Sequence, residues 1–148
     1  MSEILLIILF NALMLGAAIT DLIYKEVYDL FWLFQIGIIM TSAFINKAEV
    51  DAGIVTSLLI YFIIQEFVMD KAYGKADCHA FCCSALFFSY FGLELETYVL
   101  HISIVFVLIV IKAVMDGNIS ATLNLKKPIP MIPYILVGSW AVFAIYVP

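Results

Sequence analysis

The sequence predicts an all-α, polytopic integral membrane protein: six transmembrane helices in a single domain over residues 1–148, with both termini outside. Apolar residues make up 66% of the chain and charged residues 13%, against about 45–50% and 25% in soluble globular domains. The apolar residues form runs of about helix length, not the short alternating segments of a membrane β-barrel. Because backbone polar groups in lipid must bond within the chain, helices are expected.

Six apolar runs account for most of the chain, at about residues 4–20, 28–45, 52–69, 79–93, 98–115 and 130–147. Most approach the ~20 residues needed to cross the hydrocarbon core, and the fourth is the shortest. The first run has no basic segment before it, so we interpret it as a retained span and not as a signal peptide. Polar residues between the runs predict loops, among them Asp21 to Asp29 and Asp70 to Cys78.

The lysines predict the orientation. Most of them flank the first, third and fifth loops, namely Lys25, Lys71, Lys75, Lys112, Lys126 and Lys127, whereas Lys47 lies on the opposite side. Short loops follow the positive-inside rule, so these three loops are expected in the cytoplasm. Asp21 and Asp77 then lie on the same, cytoplasmic side.

Asp21 and Asp77 occupy positions that need a physical reason, because carboxylates at the edge of a span are costly. Asp21 follows Gly16–Thr20, where small residues allow close helix approach. Asp77 directly precedes the apolar stretch Cys78–Phe88, so each carboxylate is expected to be half-buried at a helix end. Two carboxylates held close together cannot both ionise at low cost, and one then keeps a proton near neutral pH. Such a pair can activate water and polarise a peptide carbonyl, as in aspartic proteases. The alternative is that both are ordinary surface acids.

Three segments resemble the signatures of the prepilin peptidases. Residues 21–29, Asp-Leu-Ile-Tyr-Lys-Glu-Val-Tyr-Asp, resemble the first signature, an aspartate followed by a basic loop and Ile-Pro-Asn. Gly74-Lys75-Ala76-Asp77 resembles the GxGD signature, and residues 129–138 resemble the last-span pattern of two prolines, an apolar run and a glycine. Their order and spacing agree from the first span to the last.

The resemblance implies a membrane-embedded aspartic endopeptidase that uses no metal or other cofactor. Such enzymes remove the basic leader of type IV pilin-like precursors at the cytoplasmic face of a prokaryotic cytoplasmic membrane. Asp21 matches the first catalytic aspartate and Asp77 the second, and Gly74, Lys75 and Ala76 form the site loop. The implied partners are the precursor, with its basic leader and apolar helix, and the lipid bilayer; no nucleic acid is expected. Asp21 follows a single span, which implies a minimal form without the methyltransferase portion of bifunctional members.

The chain departs from the family pattern at three places. Val27-Tyr28-Asp29 replaces Ile-Pro-Asn, Ala76 replaces the second glycine, and His79 replaces the usual lysine two residues after the aspartate. Alanine adopts a positive φ less readily than glycine, so we expect a differently shaped loop before Asp77. Both proposed catalytic groups are kept, so substrate choice and efficiency are expected to differ rather than the chemistry.

Substrate-contacting or tuning roles are expected for polar residues and prolines near the two aspartates: Lys25, Glu26, Asp29, His79, Pro130 and Pro133. The acids would attract a basic leader, His79 would tune Asp77 or face the headgroups, and a bend at the prolines would border the substrate entrance. The alternatives are solvated loop charges and a simple loop-to-helix junction. Glu66 is expected either to face the site or to pair with Lys71, and the pairing is favoured.

Four soft ligands begin the fourth run: Cys78, His79, Cys82 and Cys83. On a helix they form two i, i+4 pairs about 100° apart, and no second cysteine pair completes a zinc site. We therefore expect tight helix packing here and no metal. His101 is expected on the outer side without a role, and Trp32 and Trp140 are expected to be lipid-facing or interfacial.

Two other functions remain open from the sequence. The chain could be a catalytically inactive relative that acts as an assembly partner of a pilus or secretion system. It could also be a small transporter that uses Asp21 and Asp77 as a proton or cation site. A transporter is expected to place carboxylates at mid-membrane or in broken helices, whereas both are predicted here at the cytoplasmic edge.

Overall fold

The computed structural model describes residues 2–47, 51–115 and 129–146, which form six helices and no β-strand. In chain order the helices are α1 (Glu3–Tyr24), α2 (Asp29–Ile45), α3 (Ala52–Tyr73), α4 (Lys75–Tyr90), α5 (Leu95–Met115) and α6 (Ile132–Tyr146). The prediction of an all-α fold is confirmed. The fifth predicted loop, with Asp116 and Pro128, lies outside the described residues.

Three helices, α1, α3 and α5, are long and apolar enough to cross a membrane, and α2 and α6 are shorter apolar helices. Large apolar side chains are exposed along the bundle, such as Phe44 at 86% and Phe67 at 72%. Soluble monomers rarely expose contiguous apolar surface on this scale. Helix length and surface composition together indicate a helical membrane protein.

α4 is the central helix of the bundle. It packs against α2, α3, α5 and α6, and the ring of Phe87 stacks on Phe10 of α1 with a centroid distance of 4.0 Å. It has more buried residues than any other described helix. Groups at its first turn are therefore held against several neighbouring helices.

Small residues bring two helix pairs into close contact. A Cβ atom added to Gly16 of α1 would lie 2.9 Å from Cε1 of Phe31 in α2, and one added to Gly138 of α6 would lie 2.8 Å from Cγ2 of Val105 in α5. Both distances are shorter than a real Cβ contact allows. The expected close helix approach in the segment before Asp21 is therefore confirmed.

Two predicted loops are much shorter than expected. The predicted bounds of the loop from Asp21 to Asp29 are wrong at both ends, because α1 continues to Tyr24 and α2 begins at Asp29. The loop from Asp70 to Cys78 reduces to Gly74. Lys71 and Lys75, which extend α3 and α4 into the predicted loop, are exposed, and alanine at position 76 favours helix.

A π-helical turn, Gln65–Met69, interrupts the α-helical pattern of α3. Such turns are rare and occur frequently at functional sites. Gln65 is fully buried, and its Oε1 accepts a hydrogen bond from the Tyr73 hydroxyl. This bond ties the π-helical turn to the last turn of α3, directly before Gly74.

His101 is buried inside the bundle, contrary to the expectation that it has no role. Its Nε2 lies 3.0 Å from the Ile135 carbonyl oxygen and 3.1 Å from Oγ of Ser139. Oγ of Ser139 lies 3.2 Å from Oγ of Ser84. These contacts join α4, α5 and α6, and interhelical hydrogen bonds of this kind stabilise helix packing in membranes.

Candidate active site

The two predicted catalytic aspartates lie at one end of the bundle, here called the carboxylate end. It contains the C-terminal turns of α1 and α3 and the N-terminal turns of α2, α4 and α6. Contacts between Asp21 and Ile132, and between His79 and both Asp29 and Glu66, hold these turns together. The carboxylate end therefore brings together residues that are far apart in the sequence.

Asp21 is buried in the last turns of α1, with 8% of its surface exposed. Its Oδ2 accepts a hydrogen bond from the Ile132 backbone N–H at 3.1 Å. Ile132 is the first residue of α6, so this N–H has no acceptor within its own helix. Asp21 thus caps α6 from a different helix. Burial raises the pKa of Asp21, and this hydrogen bond offsets part of that rise.

Pro130 and Pro133 lie on either side of the Ile132 N–H. Pro130 precedes α6 and Pro133 lies in its first turn, where a missing N–H costs no helical hydrogen bond. α6 is uninterrupted from Ile132 to Tyr146. The bend expected at the prolines is therefore absent from the described residues 129–146, and the prolines frame the N–H that Asp21 binds.

Asp77 is partly buried in the first turn of α4, before the apolar stretch of that helix begins. Burial, together with the nearby negative charge of Asp21, raises the pKa of Asp77 to about 8. Asp77 is therefore protonated near neutral pH. The expectation that Asp77 is half-buried at a helix end is confirmed, although it belongs to the helix and not to a loop.

Gly74 is the one-residue connection between α3 and α4. Its φ of 102° and ψ of 156° fall in a region that is essentially restricted to glycine. A Cβ atom at Gly74 would lie 3.7 Å from Oδ2 of Asp77. The carbonyl oxygen of Gly74 accepts a hydrogen bond from the Cys78 N–H at 3.2 Å. Gly74 thus sets the direction of the turn that carries Asp77, whereas Ala76 adopts a helical conformation without a loop.

Lys25 and Glu26 are exposed and follow α1. Lys25 has a left-handed backbone with φ 55°, and its N–H donates to the Asp21 carbonyl oxygen at 3.0 Å. Lys75 is also exposed, and its Nζ lies 3.7 Å from Oε1 of Glu66. The expected pairing of Glu66 with Lys71 is therefore wrong.

His79 contacts two other carboxylates instead of Asp77. Its Nδ1 lies 3.8 Å from Oδ1 of Asp29 in α2, and its Nε2 lies 3.6 Å from Oε2 of Glu66 in α3. Residues two apart on a helix point about 200° apart, so His79 and Asp77 face opposite sides of α4. The structure therefore does not support direct tuning of Asp77 by His79.

A groove of about 600 Å³ lies between α2 and α3, with α4 at its base. Sequence reasoning missed this groove. Its lining includes Trp32, which is 3% exposed, so the expectation that Trp32 faces lipid is wrong. Trp140 is half-exposed, and its Nε1 donates to Oδ1 of Asn11 at 2.6 Å.

The cysteines of α4 pack among apolar residues. Cys78 and Cys83 are buried and Cys82 is partly buried. Within residues 2–47, 51–115 and 129–146, no group of three or more His, Cys, Asp or Glu side chains is placed to hold a metal ion.

Comparisons of the chain with protein family models, curated proteins and solved structures gave no significant match. The resemblance to prepilin peptidases therefore rests on the three sequence segments described above.

Proposed function

We propose that this chain is a membrane-embedded aspartic endopeptidase that removes the basic leader from a pilin-like precursor. The observation that supports this proposal is the environment of the two aspartates. Asp21 is buried and accepts a backbone hydrogen bond, whereas Asp77 is partly buried and near enough to Asp21 for their charges to interact. Different environments of this kind separate the protonation states of a carboxylate pair, and so assign an acid and a base.

In the proposed reaction, ionised Asp21 takes a proton from water while protonated Asp77 donates a hydrogen bond to the scissile carbonyl oxygen. The water oxygen adds to the carbonyl carbon, and the oxygen that gains negative charge is stabilised by Asp77. The proton held by Asp21 then passes to the leaving amine as the C–N bond breaks. The proton balance of the pair is restored without a metal or a cofactor.

The proposed topology has six membrane crossings, both termini outside and the carboxylate end in the cytoplasm of a prokaryotic cell. α2, α4 and α6 contain 17, 16 and 15 residues in turn. At about 1.5 Å per residue they are shorter than the hydrocarbon core. Local thinning of the bilayer accommodates such helices at modest cost, and would bring water close to the carboxylate end.

The experiment that tests the proposal is cleavage of a co-expressed pilin-like precursor from the same genome, followed as a mobility shift. The natural protein would be compared with Asp21→Asn and Asp77→Asn. Asparagine at position 21 keeps an oxygen that can accept the Ile132 N–H, so loss of cleavage there would reflect lost charge and not a lost helix cap. Asp51→Asn is the matched control, because Asp51 caps the other end of α3 and asparagine caps equally well.

Loss of cleavage in both site variants, with insertion and expression kept, is the expected result. Cleavage that survives either change would remove that aspartate from the mechanism. Precursor binding without cleavage by the natural protein would support the assembly-partner function instead.

A further inference from the structure

The groove between α2 and α3 lies on the side of α4 opposite the two aspartates. α2 packs against α1 and α4, whereas α3 packs against α4 and α5. Leu33 and Ile36 of α2 face Ile63 and Phe67 of α3 across the gap, and Cys83 lies at its base. We call this feature the α2–α3 groove.

The walls of the α2–α3 groove are apolar and accessible. Leu33 is 66% exposed and Ile63 is 57% exposed. In a bilayer, a groove with such walls is occupied either by lipid chains or by an apolar helix, since both match its surface. The walls alone do not distinguish these two occupants.

The polar end of the α2–α3 groove does distinguish them. Asp29, Glu66 and His79 line the groove there, and Lys75 pairs with Glu66. Among the Asp, Glu and Lys side chains, two carboxylates and one lysine give this end of the groove a negative formal charge. This charge repels an anionic phosphate headgroup, whereas it attracts the positive N-terminal end of a helix and the cationic side chains that precede it.

We infer that the α2–α3 groove binds the apolar transmembrane helix of the substrate, with the N-terminus of that helix at Asp29 and Glu66. This inference rests on the proposed function. The extended segment before the helix then crosses the first turn of α4 at Gly74 to reach Asp77 and Asp21. Gly74 is exposed and has no side chain to obstruct this path.

Photo-cross-linking tests the inference directly. p-Benzoylphenylalanine is placed at Leu33 or Ile63 in the groove, and at the neighbouring positions Phe34 or Ile64, which are exposed but do not line it. The protein carries Asp77→Asn so that a co-expressed pilin-like precursor stays intact. Cross-links to the apolar helix of the precursor from the two groove positions, and not from the two neighbouring positions, are the expected result.

Filling the groove gives an independent measurement. Ile36→Trp is expected to raise the KM for the full precursor about tenfold or more, with little change for a short leader peptide that lacks the apolar helix. Phe34→Trp adds the same side chain outside the groove and is expected to change neither value. An equal effect of Ile36→Trp on both substrates, with membrane insertion and thermal stability kept, would contradict helix docking.

The failures of the two proposals are distinguishable. Groove cross-links without cleavage by the natural protein would keep the docking site and reject the peptidase. Cleavage without groove cross-links would reject the docking site alone. Cross-links to phospholipid alone would identify a lipid site and overturn the inference.

Discussion

Replacing Gly74 by alanine tests whether the connection between α3 and α4 positions Asp77. The φ of 102° and ψ of 156° at Gly74 are essentially restricted to glycine. An added Cβ atom would lie 3.7 Å from Oδ2 of Asp77, which is an ordinary van der Waals contact. The substitution therefore acts through backbone strain and not through a steric clash.

The size of the effect follows from the length of the connection. Gly74 alone separates α3 from α4, so no neighbouring loop residue can absorb the strain. If the backbone is kept, alanine lowers the free energy of unfolding by about 1–3 kcal/mol. If the backbone relaxes, the first turn of α4 moves with Asp77, and a displacement of about 1 Å costs on the order of 100-fold in cleavage rate.

The assay combines denaturant unfolding in detergent with kcat/KM for precursor cleavage, normalised to the folded fraction. Gly92→Ala is the matched control, because Gly92 has a φ of 76° and no atom within 4 Å of an added Cβ. Gly92 lies at the other end of α4, so its alanine variant is expected to lose about 1–2 kcal/mol of stability and no specific activity. Full activity of Gly74→Ala, or an equal loss in Gly92→Ala, would refute the positioning role.

Three further predictions concern stability. Because burial raises the pKa of Asp77 to about 8, the folded state binds a proton that the unfolded state has released. Stability should therefore fall from about pH 4 to pH 8, and Asp77→Asn should flatten this slope in thermal unfolding; an unchanged slope would contradict the assignment. Lys25→Gly should raise the free energy of unfolding by about 1 kcal/mol, because Lys25 has a φ of 55°, whereas Lys25→Ala should not. Ser139→Ala should cost about 1 kcal/mol in detergent unfolding by removing its contact with His101; equal stability would show that the contact contributes nothing.

The helices could be predicted from the sequence because long apolar runs have few alternatives in lipid. The boundaries could not, since polar residues were assigned to loops wherever they occurred. Asp21 and Asp77 are both helical, and the connection between α3 and α4 contracts to Gly74. At the water-accessible end of a bundle, a helix continues through polar residues without the desolvation cost it would incur in lipid.

The two aspartates could be predicted as a pair because the distribution of lysines assigns both to the same side of the membrane. The structure places both at one end of the bundle. The groove could not be predicted. Apolar residues cover every face of these helices, so the sequence does not show which face points inward. For this reason Trp32, expected to be lipid-facing or interfacial, is buried. His79, expected to tune Asp77 or to face the headgroups, contacts Asp29 and Glu66.

α4 resolves a conflict between the two requirements of the proposed reaction. The Asp77 carboxyl must stay largely desolvated to keep its proton, whereas the proposed substrate helix must enter from lipid through an open surface. If one face of the bundle carried both the carboxylates and the entry surface, an open entry surface would also expose Asp77. The first turn of α4 separates them, because Asp77 and His79 face opposite sides of the same helix. Gly74 directly precedes this turn, and because its φ is 102°, any other residue here would strain the backbone that carries Asp77.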